Sequence, residues 1–180
     1  RDPDHRAGDR QLARLVHQRQ QHEHFVAERV RARGRDEDAA ALEVLSEDLA
    51  RSGVGLTRGA AQTAATPALV MGVPSADGFV RAACARLGLP ADAAVTRPEG
   101  YLLAVTADTV LIAGADEAGV LYGAQTLRQL LRRGAGGAEI PAVTIRDWPD
   151  SAFRGFYVEG AGRVANSEEL RRLIRNTYSY

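Results

Sequence analysis

Apolar positions along the chain change period several times, and each change marks an element. "HFVAERVRA" (residues 24–32) alternates apolar and polar, as a half-buried strand does. "DEDAAALEVLSEDLARSGV" changes to helical spacing, with Ala41, Leu42, Leu45 and Leu49 on one stripe, acidic residues in the first turn and Gly53 as its stop. A loop rich in threonine and alanine follows. "ALVMGVP" is a short apolar run that reads as a buried strand and turn, and "SADGFVRAACARLGLP" runs as a helix from a Ser/Asp start to a Gly-Leu-Pro stop. Residues 101–106 and 110–113 are two apolar runs close enough together for a hairpin. A helix is expected from about 117 to 133, then "GAGGAE" as a loop and "IPAVTIRDWPD" as an extended segment. "AFRGFYVEG" reads as a new apolar strand, and "NSEELRRLI" opens a helix capped by Asn166 or Ser167.

Strands interleaved with helices indicate an α/β or α+β fold, a sheet layered with helices. The pattern breaks at "DWPDS", which is the expected boundary near residues 147–151. Residues 1–24 form a polar N-terminal segment, and residues 1–21 of it lack a coherent apolar face and are expected to be poorly ordered and dispensable for the fold.

With 180 residues and 45% hydrophobic content, the chain has enough apolar surface for a sizeable core. Its formal net charge is zero, so no general electrostatic pull toward nucleic acid or anionic membrane is expected. No apolar run is long enough to span a bilayer. The sole cysteine, Cys84, excludes an internal disulfide and a cysteine-based zinc site, and its helical context points to a buried thiol. Secreted and cytoplasmic locations both stay open.

Candidate chemistry is sparse. His17, His22 and His24 lack the spacing that puts two ligands on one helical face, and no HExxH occurs, so no metal is expected. "GADEAGVLYG" lacks the phosphate-binding glycine spacing and places two carboxylates at a helix start, where they would repel an anion. Gly119 and Gly123 lie a turn apart on or beside the apolar face of that helix, and each costs about 1 kcal/mol against alanine. Close approach of helix to sheet is the expected reason. Trp148 is a candidate sugar platform or, more simply, an interdomain seal.

Residues 99–160 carry a family resemblance. Gly100, Tyr101, Ala115, Asp116, Glu117, Gly119, Tyr122, Gly123, Gln125, Thr126, Leu127, Gln129, Leu130, Ile145, Asp147, Pro149, Phe153, Arg154 and Gly155 follow an ordered pattern. It resembles the accessory domain and barrel entry of β-N-acetylhexosaminidases and of the related bacterial O-GlcNAcase and hyaluronidase-like enzymes. The likeness is diffuse over residues 25–90.

The resemblance implies a layout: residues 25–146 as an accessory domain, zincin-like but without metal, and 147–180 as linker and beginning of a (β/α)8 barrel. It implies cleavage of terminal β-linked N-acetylhexosamine by the sugar's own acetamide, without cofactor, on a glycan or glycoconjugate. It places the catalytic carboxylates beyond Tyr180, so the chain alone is expected to be inactive. Arg154 would hydrogen-bond sugar hydroxyls, and the backbone of Gly160 would lie against the sugar. Glu159 matches the pattern without support as a catalytic acid, and "AGR" after it departs from the O-GlcNAcase-like form. "IRNTYSY" fits either a second barrel strand or a continuing first helix. Two alternatives stay open: an α-glucuronidase with a similar accessory domain, and a non-catalytic carbohydrate-associated module.

Overall fold

Three runs with no charged residue, "ALVMG", "YLLAV" and "TVLIAG", form the centre of a sheet, and every residue in them is buried. Such continuous apolar runs suit strands covered on both faces. The computed structural model describes residues 24–27, 29–33, 39–58, 68–89, 97–134, 137–155 and 167–170. The chain divides into two compact units, Arg1–Trp148 and Pro149–Tyr180.

The first unit holds strands β1 (His24–Ala27), β2 (Arg29–Arg33), β3 (Gly55–Arg58), β4 (Ala68–Gly72), β5 (Tyr101–Val105), β6 (Thr109–Gly114), β7 (Arg132–Gly134), β8 (Gly137–Pro141) and β9 (Val143–Asp147). Its helices are α1 (Ala39–Arg51), α2 (Gly78–Arg86) and α3 (Glu117–Leu130). The six-stranded sheet has the order β3-β2-β4-β6-β5-β9. Neighbours from β3 to β6 are parallel, whereas β5 is antiparallel to both β6 and β9. A second, three-stranded sheet has the order β1-β8-β7, antiparallel throughout.

Helices cover both faces of the large sheet. On one face, Leu42, Leu45 and Leu49 of α1 and Val120, Ala124 and Leu127 of α3 join Leu69, Met71, Leu103, Val105 and Ile112. On the other, Val80, Ala83 and Cys84 of α2 meet Val70, Leu102, Ala104, Leu111 and Ala113. Two glycines in the left-handed region end α1 and α2, Gly53 at φ 79° and Gly88 at φ 68°. Val54 N–H then reaches Leu49 O and Leu89 N–H reaches Cys84 O, both at 2.9 Å, closing Schellman-type ends.

The stripe of α1, the β5–β6 hairpin, buried β4 and buried Cys84 match expectation. Other segments differ. "HFVAERVRA" is not one strand: its described residues fall in β1 and β2, which belong to different sheets. Helix α1 is described from Ala39, and Asp36, Glu37 and Asp38, expected in its first turn, lie outside the described residues. The expected Thr/Ala loop opens with β3, which pairs with β2. Helix α3 stops at Leu130, because Leu131 turns to an extended conformation and Arg132–Gly134 pairs with β8. Arginine favours helices, so nothing local announces that end; strand pairing overrides propensity. "IPAVTIRD" divides at Ala142 between two sheets.

In the second unit, Ser151–Gly155 shows no regular structure, where a strand was expected to begin at Ala152. Residues 167–170 are helical, where a helix is expected to open, and Asn166 lies outside the described residues. Residues 1–23, 156–166 and 171–180 lie outside the described residues, and so do the expectations for His17, His22, Glu159, Gly160 and "IRNTYSY".

Candidate functional site

Motif residues from three segments meet where β5 begins, α3 begins and β9 ends. Asp116 caps α3: its Oδ1 accepts from Gly119 N–H at 2.8 Å, and its Oδ2 accepts from Glu99 N–H, also at 2.8 Å. One carboxylate thus satisfies two backbone donors 20 residues apart in sequence, tying the helix to the turn before β5. Helix N-terminal N–H groups attract anions. Here the protein's own carboxylate takes that place.

The turn spans Arg97 to Gly100, closed by Gly100 N–H donating to Arg97 O at 3.0 Å. Pro98 stands in its second position and Glu99 in its third, with φ at 62°. Glycine or asparagine is usual there. Glu99 is held in the left-handed region while its N–H is bound by Asp116. Gly100 O in turn accepts from Ala115 N–H at 2.8 Å.

The two helical glycines have separate reasons. A Cβ on Gly119 would overlap Gly100 O, which is backbone and cannot move aside cheaply. A Cβ on Gly123 would lie 2.5 Å from Ile112 Cγ2 and 3.2 Å from the Tyr101 ring. Both let α3 lie against the start of β5 and the end of β6. The expectation of close helix–sheet approach holds, and the role is architectural.

Tyr101 links helix and strand. It is buried, its hydroxyl lies 2.6 Å from Thr126 Oγ1 of α3, and it donates to Asp147 Oδ2 of β9 at 3.4 Å. Burial pushes the phenol above its ordinary pKa, and the neighbouring Asp147 charge adds to the rise against the opposing Thr126 bond. Asp147 Oδ1 also accepts from Trp148 N–H at 2.9 Å. The Trp148 ring lies under the Arg97 guanidinium, 4.4 Å from its centroid, with Arg146 at 5.8 Å. The Arg97 contact occupies one face of the indole, which leaves that face unavailable as a sugar platform.

Elsewhere, burial raises the Cys84 thiol. The Thr106 hydrogen bond, first among several causes, lowers Asp108 in the β5–β6 turn. Among the described residues, no group of three or more His, Cys, Asp or Glu side chains comes together for a metal ion. No described helix is long and apolar enough to cross a membrane.

Arg154, in the second unit, is exposed, and its Nη1 donates to Ser151 O at 2.6 Å. Ser151 Oγ donates to Phe153 O at 2.9 Å. No apolar period or motif in the sequence singles out Arg97, Ser151 or the strained Glu99. Only the Pro98–Glu99–Gly100 turn signal could have pointed to the first and last of these.

A family model described as glycosyl hydrolase family 20, domain 2, matches residues 14–148. Among solved structures, CpGH84D is similar at 18% identity and a TM-score of 0.66, over 75% of this chain and 23% of that one. An inactive mutant of a GH20 exo-β-N-acetylglucosaminidase from Vibrio harveyi is similar at 21% identity and TM-score 0.64, over 88% of this chain and 22% of that one. The Vibrio harveyi enzyme in complex with N-acetylglucosamine gives 19% identity and TM-score 0.61, over 88% and 21%. These likenesses show a common fold. The chain spans about a fifth of the length of these proteins.

Proposed function

The chain belongs to glycosyl hydrolase family 20, domain 2, and on that premise we propose that it is the N-terminal part of a β-N-acetylhexosaminidase-type glycoside hydrolase. Residues 25–146 are its accessory α/β domain, and the chain from 147 onward is the linker and beginning of a catalytic (β/α)8 barrel. The substrate is a glycan or glycoconjugate ending in β-linked N-acetylhexosamine. The exo-β-N-acetylglucosaminidases of like fold support that substrate class.

One observation carries the reading. The motif residues of the first unit are engaged within it: Asp116 with Gly119 and Glu99, Tyr101 with Thr126 and Asp147, Gly119 against Gly100. Residues spent on packing and capping build a scaffold, and the chemistry belongs to another part of the protein. The family match ends at residue 148, which supports a boundary beside Trp148.

In the proposed reaction the acetamido oxygen of the sugar attacks its own anomeric carbon, so the enzyme supplies no nucleophile; substrate-assisted hydrolases depart in this way from the two-carboxylate scheme. An acid beyond Tyr180 protonates the leaving oxygen. Arg154 and Gly160 contact the sugar. A guanidinium suits vicinal hydroxyls because its planar fork offers several donors in fixed directions.

The test compares two proteins on an aryl N-acetyl-β-glucosaminide. The 180-residue chain is expected to show no turnover, since a barrel site draws residues from several strand ends. A longer protein carrying this chain is expected to hydrolyse the substrate. In it, folded Arg154→Ala should lose about 2–5 kcal/mol of transition-state binding through lost charge-assisted bonds, read as kcat/KM. Unaltered kcat/KM would remove Arg154 from the site, and turnover by the 180-residue chain would overturn the reading.

A further inference from the structure

We propose that Ser151 is a positioning residue for Arg154, an inference that rests on the sugar-binding role proposed above for that arginine. Ser151 acts at two points. Its carbonyl oxygen accepts from Arg154 Nη1 at 2.6 Å. Its hydroxyl donates to Phe153 O at 2.9 Å, tying residue 151 to residue 153 and restraining the carbonyl that Arg154 uses. Two residues upstream, Pro149 has a ring-locked φ.

Burial does not hold this turn. Residues 151–155 are all exposed, and Phe153 is 90% exposed. The two hydrogen bonds therefore give the turn a definite shape where packing does not. An arginine side chain has many rotamers, and a ligand that immobilises it works against that entropy. A guanidinium already bonded at Nη1 has its plane partly set, so fewer states are lost when sugar hydroxyls bind its fork. Ser151 touches no substrate in this scheme; it acts through Arg154.

The experiment uses the longer protein and the same aryl N-acetyl-β-glucosaminide. Ser151→Ala should lower kcat/KM about three- to tenfold, the value of one hydrogen bond, mainly by raising KM. Ser151→Thr keeps a hydroxyl at the same position and should restore most of the loss. The melting midpoint should not move in either variant, because the side chain is exposed. The deciding measurement is Ser151→Ala in an Arg154→Ala background, where the second change should have no further effect. An equal loss in both backgrounds, or no loss in the wild-type background, overturns the positioning role. If Arg154→Ala lowers kcat/KM but Ser151→Ala does not, this inference alone falls. If Arg154→Ala is without effect, the sugar-binding reading of Arg154 falls and takes this one with it. No turnover by the longer protein itself would overturn the proposed hydrolase.

Discussion

Asp116 accepts hydrogen bonds from two elements at once, so its loss should exceed that of an ordinary cap. A cap alone contributes about 1 kcal/mol. Asp116→Ala also strands the N–H of Glu99, a residue already held at φ 62°. The expected total is about 2–3 kcal/mol, read from the urea midpoint. Asp116→Asn keeps one accepting oxygen and should lose roughly half of that. A loss no larger than that of a single cap would show that the Glu99 bond contributes nothing. The glycines give a second test at this scale. Gly123→Ala meets the Ile112 methyl and the Tyr101 ring and should cost about 1–3 kcal/mol by overpacking. Gly119→Ala meets the Gly100 carbonyl and should cost more, because backbone must shift. The reverse order of melting midpoints would contradict this account of α3.

Helices α1 and α3 share one face of the sheet, and Asp48 of α1 joins them. Its Oδ2 accepts from Arg128 Nε of α3, and its Oδ1 lies 2.8 Å from Arg51 Nη1 on its own helix. Arg128 Nη1 also donates to Gln125 Oε1 at 2.6 Å, which places a buried amide in the same network. Asp48 and Arg128 side chains are only 15% and 21% exposed, so this pair is less screened than a surface pair. Asp48→Ala should therefore cost about 1.5–3 kcal/mol, the range for hydrogen bonds to charged groups. Glu47→Ala, which removes a 3.7 Å pair with Arg51 at the exposed end of α1, should cost well under 1 kcal/mol. Urea denaturation of both variants checks the contrast; equal midpoints would mean that the Asp48 bridge is no stronger than a surface pair.

Over the whole molecule, titration is expected to limit stability at alkaline pH. Tyr101 and Cys84 both have raised pKa values through burial. The folded chain keeps these protons at pH values where the unfolded chain has released them. Their stabilisation is full below the ordinary thiol and phenol values, about 8.5 and 10, and is lost as pH rises through the folded values. The melting midpoint should fall steadily above about pH 9, and Tyr101→Phe should flatten the upper part of that fall. An unchanged alkaline slope in Tyr101→Phe would exclude the phenol as a cause. Asp108 works in the opposite sense: its lowered pKa contributes above the ordinary carboxylate range and is lost on acidification. Since Asp108 is largely exposed, its effect should be small.

Local composition determined the elements whose partners did not matter. The stripe Ala41–Leu42–Leu45–Leu49, the three wholly apolar strands and the stops at Gly53 and Gly88 follow from period and from glycine's left-handed conformation. The family was legible too, because Gly100, Tyr101, Asp116 and Asp147 keep their order. What those residues do was not legible. Asp116 reads as a cap in sequence, but its second bond depends on the Arg97–Gly100 turn arriving beside it. Tyr101 reads as a strand residue, but its bonds to Thr126 and Asp147 span 25 and 46 residues. Strands β3 and β7, the separation of β1 from β2 into different sheets and the split at Ala142 were not legible for the same reason. A short strand exists only through its neighbour's hydrogen bonds, and the neighbour is chosen by the packed sheet and not by the residues of the strand.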